Sequence, residues 1–333
     1  MKAFIVDRYG SADRARFSDV PDPQVGEDDV LIRIHAAGVN PLDAKIRNGE
    51  FKLILPYRLP LVLGNEFAGV VVRTGSRVRR FKPGDAVYAR PDKDRIGTFA
   101  EFIAVREDDL AIKPEHLTME EAASIPLVGL TAWQALVETA QLARGQKVLI
   151  HAGSGGVGTF AIQLAKQLGA IVATTTSTAN VELVKRLGAD IVVDYSKDRF
   201  EEVLRDFDVV LNSLDAETLS KSLRVLKPGG KLVSISGPPD PAFAKALGQG
   251  RLLQWVMGLL SFRIRRQAAR RQVKYSFLFM RASGDQLRQI GALIDAEAVR
   301  PVLDRTFPFE STKEAMAYVE TGRAKGKVVI TVQ

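Results

Sequence analysis

The sequence predicts an α/β protein with two domains, a β-rich barrel and a doubly wound parallel sheet. Three observations support this fold class. A glycine cluster stands between a strand pattern and a helix pattern within residues 147–170, strands and helices alternate from there onward, and short β-prone runs fill residues 1–122. Alternating strands and helices are typical of a wound parallel sheet, whereas many short strands separated by Gly and Pro are typical of a barrel.

The composition is that of a soluble globular protein. The chain has 333 residues, of which 46% are hydrophobic and 26% are charged, enough for two domains with their own cores. It contains no cysteine, which excludes disulfides, thiolate metal sites and a cysteine nucleophile. Since neither a signal-peptide pattern nor an apolar run long enough for a membrane span is present, we expect a cytoplasmic protein.

The net charge of +8 is compatible with two kinds of partner. A basic surface can bind nucleic acid, and it also suits a polyanionic cofactor. Because the chain carries no nucleic-acid-binding motif, we expect the cofactor and no nucleic-acid partner.

Strands are predicted through the first 122 residues, where Gly and Pro separate short runs rich in β-branched and aromatic residues. The runs are Ala3–Val6, Val30–Ile34, Phe67–Val72, Ala86–Tyr88 and Phe99–Val105. Residues 118–140 then change to a helical pattern, with Thr118 as the N-cap of the first helix. The N-terminal part is therefore expected to form the barrel.

Strands and helices alternate from Lys147 onward. The predicted strands are Val148–Ile150, Ile171–Thr176, Ile191–Val193, Val209–Leu211, Lys231–Ile235 and Tyr275–Met280. Residues 227–230, Lys-Pro-Gly-Gly, predict a tight turn before the fifth strand. After the sheet we expect a helix at 286–296, an extended segment at 301–307, a helix at 311–320 and a strand at 328–332.

The glycine cluster has the spacing Gly153-x-Gly155-x-x-Gly158. We expect Gly153 to permit a tight turn, Gly155 to let the backbone approach a pyrophosphate, and Gly158 to let the helix pack on its strand. The N-terminus of the helix then faces the negative charge of the phosphates. Because the cluster follows a strand and begins a helix, it indicates a dinucleotide-binding site rather than an unrelated glycine-rich turn.

The same stretch resembles the quinone-oxidoreductase signature of the medium-chain dehydrogenase/reductase superfamily. The matching residues are Gly145-Gln146, Leu149, Gly153-Ser154-Gly155-Gly156, Gly158, Gln163 and Lys166. The motifs that extend the resemblance over essentially the whole chain are Gly38-Val39-Asn40-Pro41-Leu42-Asp43, Gly64-Asn65-Glu66-Phe67-Ala68-Gly69, Lys82-Pro83-Gly84-Asp85 and Gly129-Leu130-Thr131-Ala132. The resemblance implies a GroES-like β-barrel catalytic domain built from residues 1–122 and 283–333, a Rossmann domain at 123–282, and an active site in the cleft between them.

The zinc ligands of the superfamily are missing from this chain. Zinc-dependent members carry a cysteine shortly after the Gly-Val that is here Gly38-Val39, and a histidine where Asn65 stands. The three histidines, at positions 35, 116 and 151, lie in a strand pattern, a Pro-flanked turn and the end of a buried strand, which do not assemble a tetrahedral site. The sequence therefore predicts no metal site, and without a Lewis acid we do not expect direct alcohol oxidation.

The residues after the glycine cluster favour NADPH over NADH. NAD-specific folds place an acid about 20 residues past the first glycine, whereas this chain has hydroxyl residues there, from Thr174 to Thr178. Hydroxyls and helix N-terminal amides can hold a 2′-phosphate instead, and an acid at Thr175 is expected to shift the preference towards NADH. NADPH-dependent relatives carry a lysine where Asn180 stands, and Lys185 is a candidate replacement for that cation.

Together, the glycine pattern and the resemblance assign residues to NADPH. They are Thr131 at the nicotinamide ribose, Gly153, Ser154, Gly155, Gly156, Val157 and Gly158 in the turn, Thr176 and Ser177 after the turn, and Tyr195 at the adenosine phosphate.

Residues 40–45, Asn-Pro-Leu-Asp-Ala-Lys, resemble the motif of the enone oxidoreductase and 2-alkenal reductase subgroup, which has a lysine where many quinone oxidoreductases have a tyrosine. The resemblance implies that Lys45 meets the substrate carbonyl; a solvated surface lysine is the alternative. Asn40 is a candidate amide donor nearby. Asp43 is expected to orient Lys45 or a backbone amide, with a purely structural role as the alternative. Water or Tyr57 would supply the proton for the α-carbon.

This scheme predicts an NADPH-dependent, zinc-independent reductase that transfers hydride to the conjugated C=C of an enone or 2-alkenal. Negative charge develops on the carbonyl oxygen as an enolate, and an ammonium there stabilises the transition state more than the ground state. The expected partner is therefore a small conjugated carbonyl substrate. The alternatives are reduction of quinones by the same route, a non-catalytic NADPH-binding protein, and an enoyl reductase for carrier-bound thioesters.

Two further segments lead to predictions about assembly and motion. The last strand of the wound sheet, at 275–280, is apolar on both faces, and an exposed edge of this kind predicts a homodimer. Residues 251–274 combine an apolar first half with a basic second half. We expect them to form a mobile flap over the cleft; helices that only pack on the domain and an interfacial helix on anionic lipid are the alternatives. Membrane contact is not expected, because the charges lie at one end of the segment.

Overall fold

The chain divides into two units in the computed structural model, which describes residues 1–52, 55–248 and 250–333. The first unit comprises Met1–Leu130 and Arg281–Gln333, and the second comprises Thr131–Met280. Each unit has its own sheets.

The described residues form sixteen strands and twelve α-helices. The strands are β1 (Lys2–Val6), β2 (Ala15–Asp19), β3 (Asp29–Val39), β4 (Leu61–Val62), β5 (Phe67–Thr74), β6 (Ala86–Ala89), β7 (Phe102–Arg106), β8 (Leu110–Ile112), β9 (Lys147–Ile150), β10 (Ile171–Thr176), β11 (Ile191–Asp194), β12 (Phe207–Asn212), β13 (Leu226–Ser234), β14 (Lys274–Phe277), β15 (Leu303–Pro308) and β16 (Lys327–Thr331). The helices are α1 (Pro41–Asn48), α2 (Met119–Ala123), α3 (Pro126–Trp133), α4 (Gly156–Gln167), α5 (Val181–Arg186), α6 (Phe200–Val203), α7 (Ala216–Ser222), α8 (Pro241–Ala246), α9 (Arg251–Leu260), α10 (Phe262–Arg270), α11 (Gly284–Asp295) and α12 (Thr312–Glu320). A π-helix, Gln134–Thr139, follows α3.

The first unit is built on two sheets. The larger has the order β15-β16-β3-β5-β6-β8, with β7 also paired to β3, and the smaller has the order β2-β1-β4. Their pairings are antiparallel, except that β15 and β16 are parallel. Apolar side chains from both sheets, among them Phe4, Ile32 and Phe67, are buried in one core.

Strand β16 brings the C-terminal tail into the larger sheet. It pairs antiparallel with β3, with Val328 opposite Val39. Continuing this register places Lys327 opposite Asn40, where β3 ends and α1 begins. The tail therefore completes the part of the first unit from which α1 begins.

The boundary after the first sheets lies later than the predicted position between residues 122 and 123. Residues 123–130 belong to the first unit. Their backbone contacts the sheet, since the Leu127 N–H donates to Glu66 Oε2 at 2.7 Å. A Cβ on Gly38 would lie 2.7 Å from the carbonyl oxygen of Ala123, so the helix backbone approaches β3 where only glycine fits.

The second unit contains one parallel sheet of order β11-β10-β9-β12-β13-β14. Counted from the first strand of the unit, this is the order 3-2-1-4-5-6 of a doubly wound sheet, which reverses between β9 and β12. The predicted parallel sheet is confirmed. Ligands in this topology bind beyond the carboxyl ends of the strands at the reversal, which is where the glycine cluster lies.

Residues 227–230 differ from the prediction. They lie within β13 instead of forming a turn before it, and Gly229 has a φ of 82°. The register of the neighbouring strand shifts between Phe207 and Val209. The segment bulges because Pro228 has no N–H to donate to the ladder and Gly229 tolerates a left-handed φ.

Strand β14 forms one edge of the parallel sheet and is shorter than predicted, ending at Phe277 rather than Met280. The Phe277 N–H donates to Asp240 Oδ2 at 3.1 Å. This amide is therefore not available to a strand from another molecule. None of the helices in the described ranges has the length and apolar character needed to cross a membrane.

Candidate active site

Helix α1 and its N-cap carry residues 40–45, the motif in which the sequence predicts the catalytic residues. Asn40 is its N-cap, Pro41 is its first residue, and Gly49 in the left-handed conformation ends it. The Asp43 carboxylate accepts from the Asn40 N–H at 2.7 Å and from Asn65 Nδ2 at 2.6 Å. Burial raises the pKa of Asp43 to about 7. The sequence predicts that Asp43 orients either Lys45 or a backbone amide, and the hydrogen bond from the Asn40 N–H matches the backbone amide.

A buried ion pair lies beside the start of α1. Lys327 Nζ is 2.5 Å from Glu66 Oε1 and donates to Asn40 Oδ1, also at 2.5 Å. The Asn40 amide in turn donates to Glu66 Oε1 at 2.8 Å and to Gly38 O at 3.3 Å. Both hydrogens of this amide are used internally, so the predicted role of Asn40 as a donor to the substrate does not fit this arrangement. We call Asn40, Asp43, Asn65, Glu66 and Lys327 the buried polar cluster.

Sequence reasoning missed what Lys327 and Glu66 do. The side chain of Lys327 is 5% exposed and that of Glu66 is fully buried, and charged residues are seldom buried to this extent unless they are paired. The sequence offered one signal, which is that Glu66 and Lys327 each stand directly before an apolar run. Their contact was not visible, because it depends on the pairing of β16 with β3.

The two basic residues of α1 differ in what they contact. Arg47 is buried and forms a bidentate pair with Glu320, at 2.7 and 3.2 Å. Lys45 lies on the exposed face of the helix, and its ammonium makes no hydrogen bond or ion pair with any residue that the structure describes. It is therefore free to meet a ligand, and equally free to be solvated.

Tyr57 is poorly suited to donate a proton. Its hydroxyl donates to the Lys93 carbonyl oxygen at 2.8 Å, and burial raises its pKa. A hydroxyl that is already engaged and holds its proton more tightly than usual does not favour proton transfer to a substrate. This leaves water as the predicted proton source.

The glycine turn between β9 and α4 is the candidate cofactor site in the second unit. A Cβ on Gly153 would lie 2.0 Å from Thr174 Oγ1, and a Cβ on Gly158 would lie 2.3 Å from Ala152 O, so neither position accepts a side chain. Gly155 is different, because a Cβ there would meet only Ala152 O, at 3.4 Å. It is the N-cap of α4, whose first N–H groups have no side-chain cap. The open space and these amides fit a pyrophosphate.

The other residues assigned to the cofactor by glycine pattern or resemblance lie in three places. Gly156 and Val157 form the first turn of α4. Thr131 is buried in α3. Tyr195 is largely exposed directly after β11. The turn and the residue after β11 lie at the carboxyl edge of the sheet, whereas Thr131 belongs to a helix before it.

Thr174 and Thr175, the first two residues of the hydroxyl run, form hydrogen bonds with the backbone of the second unit. Thr174 Oγ1 donates to Ile150 O at 2.7 Å, and Thr175 Oγ1 accepts from the Ala152 N–H at 3.2 Å. Both side chains are buried. The expectation that an acid at Thr175 selects NADH is therefore wrong, because a carboxylate there would enter the core.

The residues that follow in the run lie around Ser154, and the first of them, Thr176, is buried as well. Thr176 Oγ1 donates to Ser154 Oγ at 3.1 Å, and Asn180 Nδ2 donates to Ser154 Oγ and to Ser177 Oγ, at 3.1 and 3.2 Å. Ser177 is only half-buried. Ser154 is half-buried too, so a phosphate can be accommodated beside these two serines, and an acid at Ser177 would not enter the core.

One carboxylate at this edge was also missed. Asp194, at the end of β11, accepts from Ser196 Oγ at 2.6 Å and from Thr178 Oγ1 at 2.5 Å, and these hydrogen bonds lower its pKa to about 2. Lys197 lies 3.6 Å from it and offsets its charge. The predicted replacement cation, Lys185, instead pairs with the glutamate three residues before it, at 3.2 Å.

Asn65 and His151, which were considered as positions for zinc ligands, contact other side chains of the protein instead. Asn65, at the position of the histidine ligand, donates to Asp43. His151 is buried between Thr175 Oγ1 and Ser222 Oγ, at 3.1 and 2.9 Å, and burial lowers its pKa to about 4. Within the described part of the chain, no three His, Asp or Glu side chains are grouped to hold a metal ion.

Two family models match the chain. The model of the alcohol dehydrogenase GroES-like domain matches residues 26–115, and a model described as a zinc-binding dehydrogenase matches residues 187–330. The first match lies entirely in the first unit. It confirms the predicted GroES-like domain.

The chain is also similar over its length to individual proteins. It is 38% identical to the 2-methylene-furan-3-one reductase of Solanum lycopersicum, over 99% of this chain and 79% of the relative. It is 36% identical, with the same two coverages, to the chloroplastic NADPH-dependent alkenal/one oxidoreductase of Arabidopsis thaliana. Its structure matches the quinone oxidoreductase from Coxiella burnetii with a TM-score of 0.88 and 32% identity, over 100% of this chain and 99% of that chain. The chain is therefore an oxidoreductase that belongs to the medium-chain dehydrogenase/reductase superfamily, as its signature predicted.

Proposed function

We propose that this protein is an NADPH-dependent, zinc-independent reductase that transfers hydride to the conjugated C=C of an enone or 2-alkenal. The observation that carries the proposal is the unpaired ammonium of Lys45 on α1, at the position where the resemblance places the group that meets the substrate carbonyl. The two plant relatives, whose names specify a 2-methylene-furan-3-one and alkenal/one substrates, support the substrate class.

NADPH is the proposed cofactor, and when bound it supplies the hydride. The N–H groups at the start of α4 and the space beside Gly155 suit its pyrophosphate. We assign the adenosine phosphate to Ser154, Ser177 and Tyr195, which lie at the carboxyl ends of β9, β10 and β11. The name of the Arabidopsis relative includes the same cofactor.

The buried polar cluster fixes the start of the helix that carries Lys45. Hydrogen bonds from Asn40 and Asn65 to Asp43 hold the first turn of α1, so that the exposed face of the helix has a defined direction. As negative charge develops on the carbonyl oxygen, the Lys45 ammonium stabilises it. Asn40 and Asp43 are positioning residues in this proposal, and Lys45 is the catalytic residue.

The same cluster supports chemistry without zinc. Lys327 already neutralises Glu66 at 2.5 Å, and the amide of Asn65 is bonded to Asp43. A dication brought near this acid would meet the ammonium that is paired with it, and like charges repel. We therefore assign the stabilisation of the enolate to Lys45 rather than to a Lewis acid.

Quinone reduction is the second candidate function, favoured by the similarity to the Coxiella quinone oxidoreductase. The deciding experiment measures NADPH oxidation with panels of enones, 2-alkenals, quinones and enoyl thioesters. We expect the highest kcat/KM with an enone or 2-alkenal. A quinone as the best substrate assigns the second function, and an absence of turnover with every compound leaves a non-catalytic NADPH-binding protein.

The homodimer and the cytoplasmic location are parts of the proposal that rest on the sequence. The exposed edge of the parallel sheet, β14, supports the dimer, although the Phe277 amide is already bonded to Asp240. The Arabidopsis relative is chloroplastic by name, so proteins similar to this chain occupy more than one compartment.

A further inference from the structure

The charge of this protein is concentrated in one part of the second unit. Between Asp240 and the end of this unit at Met280, the sequence contains no acidic residue and eight basic ones, a number equal to the net charge of +8 for the whole chain. The remainder of the chain is thus close to neutral. A surface potential of this kind attracts anions locally rather than over the whole molecule.

Six of these basic residues are exposed and lie within twelve positions of one another in the sequence. Four lie on α10 and two follow it directly: Arg263, Arg265, Arg266, Arg270, Arg271 and Lys274. Across residues 1–52, 55–248 and 250–333, no carboxylate forms an ion pair with any of them. Their charge is therefore not neutralised by the fold, and we call this group the basic patch.

Helix α9, which precedes the basic patch, exposes its apolar side chains. Leu252 is 76% exposed, Trp255 63% and Leu260 60%, and Leu259 is more than half exposed, as is Phe262 at the start of α10. Met257 is the buried residue of this helix. In a helix that only packs on its domain, the apolar face would be the buried one. We call these five exposed residues the apolar face; an exposed apolar group of this size marks an interaction site.

The apolar face and the basic patch are adjacent in the fold. Helix α9 ends at Leu260 and α10 begins at Phe262, with the buried Ser261 between them. Both belong to the second unit. Any partner that covers one surface therefore also meets the other.

We infer that the apolar face and the basic patch dock the protein on the surface of an anionic lipid bilayer. A bilayer interface offers an apolar layer for Leu, Trp and Phe side chains and phosphate groups for Arg. A second copy of this chain fits less well, because a two-fold contact would bring the two basic patches together without an acid between Asp240 and Asp285 to separate them. The expected mode is peripheral, since the described helices are too short or too polar to span the bilayer.

Membrane contact is not expected from the sequence, because the charges of residues 251–274 lie at one end of the segment. The two helices observed in the structure remove this objection. An interfacial helix formed by the whole of residues 251–274 would have its charges at one end. The segment instead forms two helices, of which α9 carries four of the five residues of the apolar face and α10 carries four of the six residues of the basic patch. Apolar insertion and electrostatic attraction therefore come from neighbouring elements and are separable by substitution.

Co-sedimentation with lipid vesicles tests the inference on the full chain. We expect the protein to bind vesicles of phosphatidylcholine with phosphatidylserine at low salt, to bind phosphatidylcholine alone much more weakly, and to be released by high salt. The emission of Trp255 should shift to shorter wavelength on binding, and a Trp255→Phe variant should lose this shift. Failure to bind the anionic vesicles at low salt, or unchanged Trp255 emission on bound protein, would overturn the inference.

Double variants in the basic patch and in the apolar face test whether these two surfaces bind the vesicles. R263Q/R266Q should weaken vesicle binding about 25-fold, at about fivefold for each basic residue removed, and Leu252→Ser with Leu259→Ser should reduce binding even at low salt. The matched control is R224Q/R323Q, which removes the same charge from exposed positions outside the basic patch. An equal loss in the control would show a net-charge effect and contradict the inference. A Trp255 response to NADPH with a substrate analogue, in protein that ignores vesicles, would establish the flap instead.

Discussion

Lys327 Nζ lies 2.5 Å from Glu66 Oε1 in the interior of the first unit, although 261 positions separate the two residues in the sequence. The pair also fixes the side chain of Asn40, which caps α1. Removing one partner of a buried pair leaves an uncompensated charge in a region of low dielectric constant. The pair therefore connects the stability of the unit to the position of α1.

Replacing Lys327 by Met should lower the free energy of unfolding by about 3–5 kcal/mol, because Glu66 is left buried and unpaired. Urea unfolding followed by circular dichroism measures this change. Lys325→Met, at an exposed position two residues earlier, should alter the free energy of unfolding by no more than about 0.5 kcal/mol. Adding Glu66→Gln to Lys327→Met should recover part of the loss, and a single variant as stable as the wild type would refute the assignment.

Replacing Lys45 by Met should reduce turnover of enones by about 100- to 1000-fold, the usual effect of losing one preorganised donor. The dissociation constant for NADPH should not change, which a fluorescence titration can show. Lys313→Met, on the exposed side of α12, is the matched control and should retain full activity. If kcat/KM of the Lys45 variant stays within about threefold of the wild type, Lys45 is a surface residue.

Replacing Ser177 by Asp should shift the ratio of kcat/KM for NADPH to that for NADH by about tenfold or more towards NADH, because a carboxylate repels the 2′-phosphate. Ser177→Ala serves as the control for loss of the hydroxyl alone. Thr175→Asp should lower stability instead, since this side chain is buried. Wild-type protein that uses NADH as efficiently as NADPH would contradict the cofactor assignment.

The stability of the second unit should fall in mild acid because of His151. Burial lowers the pKa of this imidazole to about 4, whereas in the unfolded chain it titrates near 6.5. Below the unfolded value, the unfolded state binds a proton that the folded state does not, so the free energy of unfolding decreases as the pH falls from about 6.5 to about 4. The expected decrease from this residue is about 3 kcal/mol in total.

Urea unfolding at two pH values tests this dependence. His151→Gln should flatten the decrease between neutral pH and about pH 5, whatever its effect on stability at neutral pH. His116→Gln, at an exposed position, should leave the slope of the wild type unchanged. Equal slopes in all three proteins would show that His151 is not responsible.

The protein should be a homodimer at micromolar concentration if the exposed edge strand β14 pairs as the sequence predicts. Light scattering gives the mass directly, and one chain has a mass of 36.5 kDa. A single-chain mass would show that the Asp240–Phe277 hydrogen bond and the short strand are enough to protect this edge.

The sequence by itself determined the elements whose signals are local. Gly153, Gly155 and Gly158, between an apolar strand and an amphipathic helix, predicted the turn between β9 and α4 because strand and helix periodicity extend over only a few residues. The alternation that follows predicted the parallel sheet for the same reason. The superfamily was likewise predictable, since its signature is contiguous.

Tertiary structure decided which of the predicted site residues are available to a ligand. Thr175 is a hydroxyl residue like Ser177 in the sequence, but only the fold makes one a core residue and the other accessible. The sequence gives no partner for the side-chain amide of Asn40. In the fold its oxygen accepts from Lys327, and its two hydrogens are donated to Glu66 and to the Gly38 carbonyl oxygen. These contacts depend on β16 pairing with β3, a non-local contact whose partners no local pattern encodes. The burial and partners of a polar group are properties of the packed chain, which is why the sequence predicted the elements and the fold determined their chemistry.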